Sequence, residues 1–454
     1  MTGLALSAGR PSSRAWGWLA AAALAALAVI AADALRTASE SEAPALPPLD
    51  PASLHPGYGP ATYAEARKAA DRAVDGARRM LALHSGEWLR MEVLARALFT
   101  RHRLTGSPDD LAEADRLLDR ALAAVPWPAG PAMTRAQVSL AKHDLAGAER
   151  ALARFDAWVV PGSAAEQADA RSIRCEIAFE RGDLAKAREL CAASDELGLE
   201  LRRANILAKT GDAAGAAQII EAQLRAPRLP PQALATIALQ RASVALAQGD
   251  WQASGQWARA ADRVFPGYWL SEAHLAQQAA IEGDRAGAQS RYAAHAARTG
   301  NPDVLDALAR LAAADGRTAE ASEWAAKAGI AWDQRTGLLP EAYATHHAEH
   351  LLLYGDPHRG LAMAEADYRH RPYAGTIVHY GYALWRNGEA ARALEVVRQG
   401  EAQGFAGAEI KLVEALALGS LGRAAEAGEA LAAARRLNPH IDSEAQQFVA
   451  FGRD

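Results

Sequence analysis

Cysteine is nearly absent from this 454-residue chain: Cys175 and Cys191 are the two present, and their 16-residue spacing is not a metal signature. Aromatic residues make up only 6%. Strand-forming runs of Val, Ile, Thr and Tyr are scarce, which argues against a sheet. There is no Lys/Arg-rich run, and the net charge is a mild −5, which speaks against nucleic acid as a partner. G-x-S-x-G, a Walker loop and a dinucleotide fingerprint after a strand are all missing, so the enzyme classes built on them have no support. What the chain has in abundance is Ala. Half of the residues are hydrophobic, and Ala is both the best helix former and small enough to let helices approach closely.

The first 36 residues stand apart. Arg10 and Arg14 precede a charge-free run, Ala15–Ala32, which Asp33 and Arg36 close. As a helix the run spans roughly 27 Å, just short of the roughly 20 residues usual for a membrane crossing. The basic flank keeps the N-terminus in the cytoplasm and sends the rest across. Residues 1–36 read either as a signal peptide cut near Ala31 or Ala34, or as an uncleaved anchor in the inner membrane held by residues 15–32. A buried helix of the soluble fold is the plain alternative. No Cys follows the run, which excludes a lipoprotein modification. The expected location is periplasmic or otherwise extracytoplasmic. Residues 37–60 are rich in Pro, Ser and Glu and read as a linker.

A short signature then recurs: Gly-Asp or a near equivalent, with a small residue four positions after its second member. Gly182-Asp183 with Ala187, Gly211-Asp212 with Ala216, Gly249-Asp250 with Ser254 and Gly283-Asp284 with Ala288 are four copies. Gly316-Arg317, Gly355-Asp356, Gly388-Glu389 and Gly422-Arg423 continue it, and His143-Asp144 is a weaker early copy. From Asp144 onward the spacings are 39, 29, 38, 34, 33, 39, 33 and 34. Eight residues before the second member stand Ala136, Cys175, Ala204, Ala242, Ala276, Ala309, Ala348, Gly381 and Ala415, all small. Sixteen residues after it, counting the first from Asp110, Pro126, Pro266, Pro372 and Pro439 mark turns to the next unit.

On these features the chain from about Trp88 to Pro439 resembles the tetratricopeptide repeat superfamily, whose period is about 34 residues; the stretch Tyr368–Glu395 looks most like it. Together with the N-terminal run, this suggests a bacterial, envelope-associated member. The resemblance implies an all-α fold: a right-handed α-solenoid of about nine to ten helix-turn-helix repeats over residues 88–439, with a concave groove. Residues 61–87 read as an N-terminal capping helix. Residues 440–454 read as a C-terminal tail whose Phe448 and Phe451 cover the last pair. This sequence departs from the family pattern where the usual first-helix Trp and Tyr are mostly Leu or Ala, and where Arg103–Asp110 forms an insertion. The 29- and 39-residue spacings imply irregular inter-repeat turns.

In the repeat frame Cys175 and Cys191 face each other, so they form a disulfide if the chain is exported, or stay two small core thiols if it is not. The string His346-His347-Ala348-Glu349-His350 matches the H-x-x-E-H spacing of inverted zinc peptidases. It falls within the first helix of a good repeat, so peptidase activity is a remote reading. A divalent-metal site is a nearer one: His346 and His350 are four apart, and His379 occupies the position equivalent to His346 one repeat later. Arg202 and Asn205 partly echo a carboxylate clamp known in this family, but Leu201 and Gln240 stand where its Lys and second Asn belong.

The resemblance further implies that the concave wall is built from fixed first-helix positions. Here those positions gather Asp306, Arg310, His346, Glu349, His379, Tyr382, Trp385 and Arg386 in adjacent repeats, and aromatic and Arg side chains are the usual anchors of recognition. The sequence therefore reads as a non-catalytic scaffold, needing no cofactor, that binds a protein, peptide or envelope component. Metal handling through His346, His350 and His379 is the alternative.

Overall fold

The computed structural model describes residues 47–194, 196–226 and 229–452. The apolar run at 15–32 and the first part of the Pro-rich stretch, 37–46, lie outside the described residues. Contacts divide the chain between Pro47 and Pro48, and all helices described belong to the second unit. Helix α1 (Tyr63–Leu83) precedes ten helix pairs: α2 (Trp88–Thr105) and α3 (Pro108–Ala123), α4 (Ala132–Ala141) and α5 (Leu145–Asp156), α6 (Ala164–Glu180) and α7 (Leu184–Leu190), α8 (Leu197–Lys209) and α9 (Ala213–Leu224), α10 (Pro231–Ala247) and α11 (Trp251–Val264), α12 (Trp269–Ile281) and α13 (Arg285–Thr299), α14 (Pro302–Ala314) and α15 (Thr318–Leu338), α16 (Pro340–Tyr354) and α17 (Pro357–His370), α18 (Ala374–Arg386) and α19 (Ala390–Gln403), α20 (Ala408–Ser420) and α21 (Ala424–Leu437). The described residues contain no strand beyond one isolated bridge, Thr210 to Ala406. No described helix is long and apolar enough to cross a membrane.

The recurring signature has a direct physical cause. In every copy but Gly355 its Gly ends the first helix in the left-handed region (φ 74° at Gly182), where an L side chain is strained. His143 takes the same place at φ 61° in the weak copy. The next residue starts the second helix as its N-cap. Asp144, Asp183, Asp212, Asp250 and Asp284 each accept a hydrogen bond from the backbone N–H three residues on, at 2.7–3.0 Å. Arg317 and Arg423 make no such cap; each instead pairs with a Glu three residues later, Glu320 and Glu426. Four residues into the turn, Ala148, Ala187, Ala216, Ala288 and Ala393 are wholly buried against the first helix. On the first helices the small residues Ala136, Cys175, Ala242 and Ala309 are equally buried. At Gly381 even a methyl group would meet Val397 and Val413 at 3.0 and 3.1 Å.

The uneven spacings are absorbed both by helix length and by uneven turns between pairs, which from Asp144 onward run from Leu339 alone to the stretch 157–163. The 29-residue repeat has a second helix of 7 residues, α7, and the 39-residue repeat after Arg317 has one of 21, α15. Cys191 caps the shortened helix and is bonded to Cys175, with Cα atoms 5.8 Å apart. That separation is ordinary for a disulfide. In the chain-entropy model, closing a loop of this size stabilises the fold by roughly 3 kcal/mol, which offsets the small apolar surface that a two-turn helix can bury.

Elements five or six pairs apart also touch. Trp269 Nε1 donates to the Leu104 carbonyl at 3.0 Å, and the Ala406 N–H donates to the Lys209 carbonyl at 3.0 Å. A methyl group on Gly182 would lie 2.8 Å from the Pro372 carbonyl oxygen. The stack therefore winds back onto itself. Residues 49–57 are laid against this body: Leu49 N–H donates to Glu221, Gly57 N–H to the Leu229 carbonyl, and Arg263 to the Pro51 carbonyl. The tail departs from expectation. Ile441 packs on the last pair, but Phe448, Val449 and Phe451 pack with α12, α13 and α14.

Candidate functional site

First helices α14, α16, α18 and α20 stand side by side, and their shared face bounds a cavity of about 400 Å³. Arg310, Glu349, His379 and Tyr382 provide its polar wall. Leu352, Val378, Leu412 and Val413 provide an apolar wall, and Gln447 and Val449 of the tail close one side. Arg310 Nη2 donates to Glu349 Oε1 at 2.7 Å, with both side chains mostly buried. His379 Nδ1 lies 2.8 Å from the Gly375 carbonyl, which can only accept, so Nδ1 carries the proton. Its Nε2 then stands 4.0 Å from Glu349 Oε2. Burial pushes the Tyr354 phenol, also on the wall, up to about 12, and it stays neutral. The cavity combines an apolar slot with a few fixed polar groups, the composition usual for ligand recognition.

The other candidate residues are elsewhere. Asp306 lies behind the wall, buried, and accepts hydrogen bonds from Trp332 Nε1 at 2.9 Å and His350 Nδ1 at 2.7 Å. His346 stacks on Trp332 with ring centroids 5.9 Å apart, its Nδ1 3.4 Å from Asp303. It faces a second cavity of about 600 Å³ lined by Tyr63, Arg101, Trp269 and Arg335, so repeat equivalence to His379 does not make the two neighbours in one site. Trp385 is outside the cavity lining, its ring tilted against Tyr382 with centroids 5.5 Å apart and its Nε1 donating to Ser420 Oγ at 3.0 Å. Arg386 donates to the Leu352 carbonyl and ties α18 to α16.

These positions correct the metal reading. Among the described residues no group of three or more His, Cys, Asp or Glu side chains is placed to hold a metal ion. His346, His350 and His379 turn to Asp303, Asp306 and the Gly375 carbonyl respectively, and Glu349 is held by Arg310. The zinc-peptidase string thus has its members spent on separate structural partners.

No protein-family model and no curated protein matches the chain. Solved structures similar to the chain in fold include tetratricopeptide-repeat proteins. A tetratricopeptide repeat protein from Parabacteroides merdae is 12% identical, covers 56% of this chain and 98% of its own, and has a TM-score of 0.34. Yeast Tom70 is 13% identical over 85% of this chain and 95% of its own, with a TM-score of 0.33. A Rap protein complexed with competence and sporulation factor is 10% identical over 70% of this chain and 98% of its own, at 0.41. The likeness concerns the helix-pair fold.

Proposed function

We propose that this chain is a non-catalytic scaffold whose concave face, over α14–α20, binds a segment of a partner protein. The observation that carries the reading is the cavity in which Arg310, Glu349, His379 and Tyr382 converge beside Leu352, Val378 and Leu412. A partner side chain entering it would bury apolar surface while meeting a fixed charge pair and an imidazole. The test is recovery of cross-linked partner from detergent-solubilised envelope fractions. His379→Ala with Tyr382→Ala should lower recovery at least tenfold; Arg150→Ala with Glu395→Ala, both exposed on second helices, should leave it unchanged. Equal recovery from both double variants, with helicity intact, would remove the cavity from the binding surface. Trp385 and Ser420 are poor choices for either pair because they bond each other.

The scaffold acts outside the cytoplasm in this reading, which rests on Arg10, Arg14 and the apolar run after them. An alkaline phosphatase joined after Pro60 should be active, and the exported chain, denatured without reductant, should show no free thiol. An inactive fusion together with two free thiols would place the repeats in the cytoplasm.

A further inference from the structure

The concave face is already occupied by the chain itself. After α21 the backbone turns at Asn438 and makes a short 3-10 turn, Glu444–Phe448. The segment then crosses the first helices of repeats far earlier in the stack. Gln277 on α12 grips its main chain: Oε1 accepts from the N–H groups of Ala450 and Phe451 at 2.6 and 2.7 Å, and Nε2 donates to the Phe451 carbonyl at 3.1 Å. On α14, Arg310 Nη1 donates to the Gln447 carbonyl at 3.4 Å. Gln277 and Arg310 stand at equivalent positions, each seven residues before the second signature residue of its repeat. Asn205 and Ser243 hold that position in the two repeats before Gln277, and both line a small cavity with Gly452. The segment thus follows one polar side chain per repeat along the wall.

Three features separate this from an ordinary packed segment. Gln277 reads only main-chain groups, which any peptide presents. The specific contacts are apolar: Phe448, Val449 and Phe451 are all buried. Phe451 lies against Tyr292 and His274, with ring centroids 6.1 and 6.2 Å away, and the Arg285 guanidinium lies over the Phe448 ring at 5.3 Å. Finally, Gln447 and Val449 close one side of the cavity between α14 and α20, so removing the segment joins that cavity to the groove.

We propose that Ser443–Gly452 is an internal ligand of a peptide groove, and that the partner is an unfolded protein segment carrying two aromatic residues three apart, as Phe448 and Phe451 are. The partner displaces the tail and takes over the Gln277 clamp. This rests on the reading that the concave face binds a protein segment, and it adds what that segment looks like and what guards the site.

The experiment uses the full chain with a protease recognition sequence inserted between Asp442 and Ser443, and a fluorescent peptide of residues 443–454, SEAQQFVAFGRD. Cleavage should leave helicity unchanged, and the cleaved protein should then bind the labelled peptide at least tenfold more tightly than the uncleaved one. Gln277→Ala in the cleaved protein should weaken that binding at least tenfold, and so should replacing both Phe residues of the peptide by Ala. In the uncut chain, Phe451→Ala alone should raise peptide binding. A cleaved, folded protein that takes no peptide overturns the proposal, as does equal binding before and after cleavage. Unfolding on cleavage also overturns it, since the segment would then be a structural cap. Loss of the peptide result with cavity-dependent partner recovery intact would remove the internal ligand and leave the scaffold reading standing.

Discussion

Arg371→Ala should cost about 3–5 kcal/mol of stability, the usual result of stripping one member from a buried ion network. Arg371 is 2% exposed, and its carboxylate partners Asp367 and Glu180 are buried with it. Its guanidinium holds Asp367 with two hydrogen bonds, Nε to Oδ1 at 2.8 Å and Nη2 to Oδ2 at 3.0 Å. Nη1 reaches Glu180 Oε2 at 3.5 Å, a residue 191 positions away. Burial works against the charge on Arg371, but Asp367, Tyr373 and Glu180 outweigh it and hold the group above its ordinary pKa. Removing it takes the guanidinium from two buried carboxylates at the join between the end of α6 and the turn before α18, leaving Asp367 with Thr345 and Glu180 with His143. Urea unfolding should show the midpoint falling sharply. Arg369→Ala, two residues away but exposed and in a surface pair with Glu365, should change stability by less than about 0.5 kcal/mol. Similar midpoints for the two variants would mean that the Arg371 network contributes nothing to holding the coils together.

Stability should also fall as the pH drops from 6.5 toward 4. His274 on α12 is buried, and desolvation alone lowers its pKa to about 4. His295 on α13 is held at about 4 by burial and, secondarily, by Arg298. Burial also lowers His102 and His347. In the unfolded chain these groups titrate near 6.5. Between the two values the unfolded chain binds more protons than the folded one, so the stabilisation is complete above about pH 6.5 and lost on acidification. The loss is roughly 3 kcal/mol for His274 by pH 4 and less for His295. Urea midpoints at pH 7.5 and 5 should differ clearly, before most carboxylates protonate, and His274→Gln should flatten the dependence. A midpoint independent of pH over that window would show that neither ring is buried uncharged in solution.

The helix pairs were legible in the sequence because their signals are local. Gly182-Asp183 is a left-handed stop followed by an N-cap, and Cys175 against Ala187 is a close crossing; each is settled within one pair of helices. The polar cavity was legible in part for the same reason: Arg310, Glu349, His379 and Tyr382 hold equivalent or nearby positions on adjacent first helices. Asp306 and His346 were misplaced because their directions depend on the long helix α15, whose Trp332 bonds one and stacks on the other. Nothing local announces the contacts of Trp269 with Leu104, Arg371 with Glu180, or Gln277 with Phe451. They arise from small rotations summed over five or more repeats. The Phe448–Phe451 spacing was visible in the sequence, but its destination was not.

The touching coils make the number of helix pairs per coil a fixed quantity. In an open array each pair meets only its two neighbours, so a pair can be duplicated or lost and the ends merely shift. Here Gly182 must arrive opposite Pro372, and Lys209 opposite Ala406. Deleting one pair between them would slide every such match by a whole repeat, bringing side chains against backbone where a glycine is now required. Such an architecture can drift in sequence along each helix, but it cannot readily change its length from within.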